Sequence, residues 1–379
     1  MTSAERREVR YQRRVARREA KKEQKLSPHD DFALVTDIDN LYQSYRDCLK
    51  GVSWKESVQR YEADVLRNIM EARRKLLAGE SVHKGFIEFD LHERGKRRHI
   101  RSIHISERVV QKCLCDNVLV PILSNSLIYD NGASVKGKGV HFAIRRLITH
   151  MTKYYRMNNR SNEGYALLID FSKFFDSVDH KVLFEQLDGK IKDPRLRHLT
   201  KGFIRVFGDG KSLGLGSQVS QICAIFFPDR LDHYIKERLQ IRYYGRYMDD
   251  LYLLHQSKAY LKYCLEEILV ICERLKITVN LKKTRIVRLS QGVNFLKGRY
   301  ILLPSGKVLR RPGPDSARRM RRKLGKFKSL LEKKQMTYED IRTSYQSWRG
   351  SYKRRFHAYH RVRNLDKYYN ELFISDHPK

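Results

Sequence analysis

Two adjacent aspartates inside an apolar stretch constrain this chain more than any other feature. Asp249 and Asp250 stand between two β-rich runs, residues 241–247 and 251–254. This pattern predicts a β-hairpin with both carboxylates at its tip. Neighbouring like charges repel at a turn, and a bound divalent cation reverses that repulsion because carboxylate oxygens suit Mg²⁺. A polar turn without a metal is the alternative. Further carboxylates elsewhere in the chain would favour the metal site over the polar turn.

The charge of the chain implies a polyanionic partner. Its 379 residues include 78 Lys and Arg against 43 Asp and Glu, for a formal net charge of +35. Nucleic acid is the first candidate, because each neutralised phosphate releases a counterion and adds affinity. A membrane surface is the alternative, but no run approaches the roughly 20 apolar residues of a spanning helix. This length has room for two or three compact units and a substantial core.

The N-terminus and the cysteines point to a cytoplasmic protein. The first residues are charged rather than apolar, so they do not form a secretory signal. The cysteines show neither the spacing of a disulfide framework nor that of a zinc site, and we expect reduced thiols. They are Cys48, Cys113, Cys115, Cys223, Cys264 and Cys272.

A second acidic stretch supplies the partner that the hairpin requires. Residues 164–170 form a compact apolar run that ends in Asp170, which predicts a central strand with a carboxylate at its C-terminal end. The next ten residues read Phe-Ser-Lys-Phe-Phe-Asp-Ser-Val-Asp-His. We assign Asp176 and Asp179 in this run to structure, as a turn and a helix cap.

Together these stretches resemble two catalytic motifs of reverse transcriptases. Asp170 and the residues after it resemble motif A, and Tyr-Met-Asp-Asp at 247–250 resembles motif C. The resemblance implies an α+β right-hand polymerase fold and an RNA-directed DNA polymerase, a nucleotidyltransferase that uses dNTPs. It assigns two Mg²⁺ ions, or Mn²⁺ in their place, to Asp170, Asp249 and Asp250, with the Phe171 carbonyl as a further oxygen ligand.

The resemblance also assigns roles near the reacting atoms. One metal ion lowers the pKa of the primer 3′-hydroxyl, and the other stabilises the leaving pyrophosphate. The ring of Phe175 is the gate beneath the sugar, which would clash with a ribose 2′-hydroxyl so that the product is DNA. Residues 277–288 resemble motif D, whose lysine protonates the pyrophosphate, and we choose Lys283 over Lys282 for this role.

Residues 85–91 and 99–105 alternate like the strands of a hairpin with Lys96 and Arg98 near its turn. This segment resembles the reverse transcriptase fingers, in which an arginine holds the triphosphate, and Arg98 is the counterpart with Lys96 beside it. Surface charge explains these residues equally well taken alone. A helix should follow and end near Pro121. The glycine-rich loop at 129–141 is a candidate for binding template, or an ordinary loop.

Residues 213–221 lie where the family carries motif B, but they depart from its usual pattern. Gly214, Leu215 and Gln221 replace a proline, a glutamine and a second proline, while Gly216 is retained. The resulting pattern resembles diversity-generating retroelement reverse transcriptases. We assign Leu215, Gly216 and Gln221 to substrate binding. We expect relaxed fidelity, because an apolar pocket rejects mismatches less strongly than one that pairs polar groups. An apolar helix should follow over 222–239.

We predict four regions: a basic N-terminal arm at 1–29, fingers at 30–145, palm at 146–300 and a helical thumb at 301–379. The arm is a helix or a disordered segment that orders on RNA or a partner, or a solvated tail. Residues 30–77 should form two or three helices, and residues 292–298 resemble the primer grip. Residues 301–360 hold 17 basic and 4 acidic residues, which suits a thumb that grips an RNA–DNA duplex.

The biological role stays open between related systems. We favour a diversity-generating retroelement enzyme, active in mutagenic retrohoming, which copies a template RNA with adenine-directed errors and works with a small basic accessory protein oligomer. Bacterial antiphage defence by copying a noncoding RNA, or a group II intron-type enzyme, is the alternative, and we expect a bacterial or phage-encoded protein. A non-catalytic RNA-binding protein would explain the charge but not the aspartates. An RNA-dependent RNA polymerase would carry a small or polar residue in place of Phe175.

Overall fold

The computed structural model describes residues 3–93, 96–313 and 315–374, and within them it combines helices with antiparallel sheets. This confirms the predicted α+β class. The chain forms two compact units. The first contains Met1–Tyr129, Phe171–Tyr234 and Ile268–Val279, and the second contains Asp130–Asp170, Ile235–Glu267 and Asn280–Lys379.

The helices and strands are numbered in chain order. The α-helices are α1 Ser3–Leu26, α2 Ala33–Thr36, α3 Ile38–Cys48, α4 Glu56–Glu62, α5 Val65–Leu77, α6 Ile105–Leu114, α7 Val120–Ser124, α8 Val140–Met157, α9 Phe174–Ser177, α10 His180–Asp188, α11 Pro194–Arg205, α12 Gln218–Phe226, α13 Asp229–His233, α14 Lys258–Arg274, α15 Asp315–Glu332, α16 Tyr338–Arg355 and α17 Tyr359–Phe373. The strands are β1 Phe86–Glu93, β2 Lys96–Ile103, β3 Tyr165–Asp170, β4 Tyr243–Tyr247, β5 Asp250–His255, β6 Arg285–Arg288, β7 Val293–Phe295, β8 Gly298–Leu302 and β9 Val308–Pro312.

The first unit is mainly helical. Apolar residues at helical spacing form α2 to α5, four short helices where two or three were expected, and α6 packs against α3 and α5. Val110 and Leu114 of α6 are fully buried at this contact. Asp37 accepts a hydrogen bond from the Asn40 N–H at 2.8 Å, which satisfies a free donor at the start of α3.

The helix expected to end near Pro121 continues three residues past it and ends at Ser124. A π-helical segment, Cys115–Leu119, links α6 to α7, and the Val120 N–H bonds to the Cys115 carbonyl. Proline has no N–H for the Asn117 carbonyl four residues earlier. That carbonyl accepts from the His29 ring at 3.0 Å instead, so it has a hydrogen-bond partner although proline cannot supply one.

The apolar helix expected over 222–239 also has different bounds. Helix α12 begins four residues earlier, because Ser217 accepts a hydrogen bond from the Ser220 N–H at 3.2 Å and caps its first turn. Pro228 interrupts the continuation, which resumes as α13 and a π-helical segment, Tyr234–Arg238.

Strands β1 and β2 form the expected antiparallel hairpin. Leu91 pairs with Arg98, and Glu93 pairs with Lys96. The turn was predicted over 94–98, but residues 96–98 belong to β2, which starts three residues earlier than expected. Arg94 and Gly95 lie outside the described residues, as do the side chains of Lys96 and Arg98. The role of these two cations therefore stays a prediction.

The second unit is built on a four-stranded sheet with the order β4-β5-β3-β6 and antiparallel pairs throughout. Strand β3 lies in the interior of the sheet, as its apolar sequence predicts. One sheet face, which includes Leu168 and Tyr252, packs against α8 and against the smaller sheet β7-β8-β9. The expected primer-grip residues form β7 and the turn into β8.

The C-terminal helices of the second unit share an aromatic core. The rings of Tyr345 and Tyr369 stack with centroids 4.5 Å apart, and Tyr352 packs near Phe356. The C-terminal aromatics are therefore mostly core, although Tyr359 is 69% exposed. Helix α17 was not predicted. The proposed boundaries between fingers, palm and thumb stay predictions.

The basic N-terminal segment is a helix, which was one of the two conformations expected for it; the other was a disordered segment. Helix α1 runs to Leu26, and Lys25 donates to the Asn125 side chain at 3.3 Å while Glu23 pairs with Lys192. The six cysteines are free and buried. Among the described residues, no helix has the length and apolar character needed to cross a membrane.

Candidate active site

The hairpin predicted around the two aspartates is present in the second unit. Strands β4 and β5 pair from Tyr243 opposite Leu254 to Tyr247 opposite Asp250. Met248 and Asp249 form the connecting turn, with Met248 at φ +54°. A non-glycine residue in this left-handed region is uncommon and needs support from its surroundings.

Asp170 lies directly opposite Asp250 in the register of β3 and β5. Residues in such a position have Cβ atoms roughly 5 Å apart, so the two carboxylates project from one end of the same sheet face. Burial, together with the negative charges of Asp249 and Asp170, raises the pKa of Asp250 to about 6. The three carboxylates thus repel one another, which a cation would relieve.

A lysine and an asparagine hold Asp170. Lys283 Nζ lies 2.7 Å from Asp170 Oδ2, and this bond to the carboxylate raises the pKa of Lys283. The Asn280 N–H donates to the Asp170 carbonyl at 2.8 Å, and its side-chain amide donates to Oδ2 at 3.4 Å. Lys283, rather than Lys282, therefore makes the ion pair with the predicted metal ligand.

A cavity of about 220 Å³ adjoins these groups. Asp170 and Asp250 line it with Lys282, Lys283 and Arg285. Carboxylates and cations thus face the same small space. A site that binds a phosphate through metal ions requires both, because the carboxylates hold the metal ions and the cations neutralise the phosphate.

The carboxylates of Asp170, Asp249 and Asp250 suit Mg²⁺, although Asp170 forms an ion pair with Lys283 in this structure. Within the described residues, no three His, Cys, Asp or Glu side chains are grouped as a metal cluster. The ammonium group of Lys283 donates to one oxygen of Asp170. Asp170, Asp249 and Asp250 nevertheless supply the hard oxygen donors that Mg²⁺ prefers.

A buried arginine that the sequence analysis missed supports the catalytic turn. Arg246 is only 1% exposed, and its Nη1 donates to the Met248 carbonyl at 3.3 Å. Its own backbone bonds to the segment before α8, where its N–H donates to the Asp130 carbonyl and its carbonyl accepts from Gly132. A signal existed in the sequence, because a charged residue at 246 interrupts an apolar strand.

In the first unit, Phe171 and Phe175 differ in exposure. Phe171 is buried and forms a β-bridge with Val279. Phe175 is half-buried, and its carbonyl accepts from the Leu213 N–H at 2.8 Å, while the neighbouring Phe174 is buried. The Phe175 ring is thus partly accessible, and the roles of Phe171 and Phe175 stay predictions.

The motif B loop runs close to strand β2 of the same unit. The Leu215 carbonyl accepts from the Arg101 N–H at 3.2 Å. Gly216 has φ +127°, and a Cβ there would lie 2.6 Å from the Arg101 carbonyl oxygen, so this position requires glycine. Leu215 is half-buried and Gln221 is exposed on α12.

A buried polar network fixes this loop, and sequence reasoning did not find it. His83 and Glu107 lie 2.7 Å apart, Glu107 accepts from the Gln111 side chain at 3.0 Å, and Gln111 accepts from the Ser217 hydroxyl at 2.7 Å. Ser220 then donates to the Leu213 carbonyl. Burial raises the pKa of Glu107.

A family comparison defines the class of protein to which this fold and these carboxylates belong. The chain matches the family described as reverse transcriptase (RNA-dependent DNA polymerase) over residues 85–299. It therefore belongs to the reverse transcriptase family and has the right-hand polymerase fold of that family. This confirms the predicted class of enzyme, an RNA-directed DNA polymerase, and members of the family use divalent metal ions such as Mg²⁺.

Individual relatives are distant. Protein YkfC of Escherichia coli (strain K12) is 23% identical over 250 residues, which cover 55% of this chain and 64% of that protein. The chain thus spans less than two thirds of this curated relative.

Two solved telomerase structures are also similar. Apo telomerase from Candida tropicalis, truncated from its C-terminal domain, has a TM-score of 0.46 at 13% identity, covering 59% of this chain and 54% of that chain. Telomerase from Candida albicans in complex with a fragment of telomeric RNA has a TM-score of 0.46 at 12% identity, covering 76% and 58%.

Proposed function

We propose that this protein makes cDNA from a cognate structured RNA by two-metal nucleotidyl transfer at Asp170, Asp249 and Asp250. The observation that carries the proposal is the position of Asp170 opposite Asp250, beside the turn that holds Asp249. The raised pKa of Asp250 supports it, because a cluster of repelling carboxylates stabilises bound cations.

The three aspartates would hold the metal ions, which supply charge for ionising the primer hydroxyl and for the leaving pyrophosphate. The protein itself contributes positioning. Asn280 fixes Asp170 and Arg246 fixes the turn, and we assign to Lys283, which pairs with Asp170, the donation of a proton to pyrophosphate.

Primer extension on an RNA template with dNTPs and Mg²⁺ tests this function. Asp249→Asn should lower the rate about a thousandfold, since losing a metal ligand removes several kcal/mol of transition-state stabilisation. Asp176→Asn is the matched control, because Asp176 is an exposed acid in α9 to which we assign no chemistry. Equal losses in both variants, or an active Asp249→Asn enzyme, would remove the assignment.

We further infer that the enzyme is error-prone and belongs to a diversity-generating retroelement. The support is the motif B loop, in which half-buried Leu215 replaces a hydrogen-bonding glutamine. The proposed partners are a template RNA, its RNA–DNA duplex and a small basic accessory protein oligomer, with Mn²⁺ able to replace Mg²⁺.

Sequencing the cDNA made from co-expressed flanking RNA tests this finer role. Substitutions concentrated opposite template adenines, and reduced in Leu215→Gln, would support a diversity-generating enzyme. Faithful cDNA from a noncoding RNA would instead favour antiviral defence. An unaltered error spectrum in Leu215→Gln would show that this residue does not set fidelity.

A further inference from the structure

A cationic pocket lies in the second unit at the end of strand β4 away from the catalytic turn. It has a volume of about 440 Å³, and its lining includes Asp130, Arg146, Lys153, Arg156, Arg242 and Tyr243. Tyr243 pairs with Leu254, whereas Tyr247 pairs with Asp250 at the other end of the strand. Four residues of a β-strand span about 13 Å, so the pocket is separate from the catalytic carboxylates.

The floor of the pocket is an ion-pair network around one buried carboxylate. Asp130 Oδ1 lies 2.6 Å from Arg146 Nε, and Oδ2 lies 3.2 Å from Lys236 Nζ. Burial opposes ionisation of Asp130, but Arg146 and Lys236 help to keep its pKa below the usual value. The negative charge of Asp130 is therefore already shared by two cations on the floor.

A neutral histidine fixes Arg146 in this network. Arg146 Nη2 donates to His150 Nε2 at 3.0 Å, so the proton of the neutral ring is on Nδ1, 3.0 Å from the Tyr252 hydroxyl. Burial, with the positive charges of Arg146, Lys236 and Lys153, lowers the pKa of His150 to about 4. His150 thus positions a cation without adding charge of its own.

The rim of the pocket carries three exposed cations. Lys153 and Arg156 lie three residues apart on α8, on one helix face, and Arg242 directly precedes β4. No carboxylate among the described residues forms an ion pair with these three side chains. Five cations therefore surround one carboxylate, an arrangement that favours a bound anion.

We propose that this pocket binds the phosphodiester backbone of RNA at a place separate from the catalytic carboxylates. Tyr243 and Met157 give it apolar walls beside the cations. Charged grooves with aromatic side chains bind single-stranded nucleic acid by this combination. The inference rests on the proposed function, because it takes the cognate RNA as the ligand.

The test compares two double variants of the full chain in binding a long single-stranded RNA at several salt concentrations. Lys153→Gln with Arg156→Gln removes two rim cations. Lys258→Gln with Lys262→Gln is the control, since these lysines are exposed on α14 and lie outside the pocket lining. The pocket variant should lose about tenfold in affinity, and the slope of log K against log salt should become shallower by about 1 to 2, one for each lost phosphate contact.

Extension of a short primer on a short RNA template should be unchanged in the pocket variant, because the pocket is remote from the carboxylates. The proposal would be overturned if the pocket and control variants lost equal affinity for RNA. It would also be overturned if the pocket variant lost affinity for mononucleotides but kept its affinity for the long RNA. Arg242→Gln provides an independent test of the rim. If the wild-type chain extends no primer, the proposed function fails while the RNA-binding comparison still tests this pocket.

Discussion

Lys283 Nζ lies 2.7 Å from Asp170 Oδ2, so the proposed proton donor is paired with a proposed metal ligand. Lys283 should therefore affect metal binding and proton donation in opposite directions. Its charge competes with a cation for Asp170, and its proton is available to a leaving pyrophosphate. Removing Lys283 should separate these effects.

Lys283→Met should bind divalent ions more tightly and turn over more slowly. Without the ammonium group, Asp170 is free for a metal ion, while loss of the proton donor should lower the rate of nucleotide addition about a hundredfold. Titration with Mn²⁺ followed by paramagnetic resonance measures the first effect, and single-turnover extension measures the second. Lys282→Met, in the same cavity, is the control. A variant with weaker Mn²⁺ binding would contradict the competition.

Asp250 should make the metal-free protein less stable as pH rises. Its folded-state pKa of about 6 exceeds the ordinary 3.8, so folding favours the protonated form, and the fold loses stability as pH rises from the ordinary pKa through about 6. Asp250→Asn should therefore raise the free energy of unfolding by roughly 2 kcal/mol near neutral pH. This gain should shrink as pH falls below about 6 and vanish near the ordinary pKa.

Denaturant unfolding in the presence of a chelator measures this effect. Asp176→Asn serves as the control, because it removes an exposed charge by the same substitution. Adding Mg²⁺ should stabilise the wild-type protein but not Asp250→Asn to the same extent. A pH-independent gain in Asp250→Asn would mean that the carboxylate is not strained in the folded state.

The two catalytic strands were predictable because their signals are local. An apolar run with an acid at its end fixes both the strand and the position of its carboxylate, which stands at the last residue of β3 for Asp170 and at the first residue of β5 for Asp250. The three helical residues after Pro121 were not predicted, and the Asn117 carbonyl that proline cannot pair with accepts there from a side chain distant in sequence, His29. Helix α12 similarly starts at a cap, Ser217, that a reading of apolar spacing overlooks.

The network behind the motif B loop escaped prediction for a related reason. Glu107 and Gln111 are four residues apart on α6, but His83 and Ser217 are distant from them in sequence, and each of the four is an ordinary polar residue by itself. Only the fold brings them together, and burial then makes each hydrogen bond necessary. Arg246 is the intermediate case, since its sequence position was unusual but its partner, the Met248 carbonyl, was not evident.

Arg246→Met should slow catalysis more than it weakens RNA binding. The bond to the Met248 carbonyl helps to hold a turn with a positive φ next to Asp249, and a small displacement of that carboxylate would misplace the reacting groups. We expect kcat to fall about a hundredfold, with little change in KM for dNTPs. Arg242→Met, at the other end of β4, should leave extension of a short template unchanged, and a thermal melt checks that both variants fold.

Phe175 should set the choice between deoxyribonucleotides and ribonucleotides. Phe175 is half-buried, and the bond from the Leu213 N–H to its carbonyl holds the backbone from which the ring projects. Phe175→Ala should raise kcat/KM for rNTPs relative to dNTPs about a hundredfold, the range expected when steric exclusion from an apolar pocket is removed. Phe174→Leu is the control, because that neighbouring ring is buried and should affect stability rather than selectivity. If Phe175→Ala loses activity with both nucleotide classes alike, Phe175 supports the fold of α9 instead of selecting the sugar.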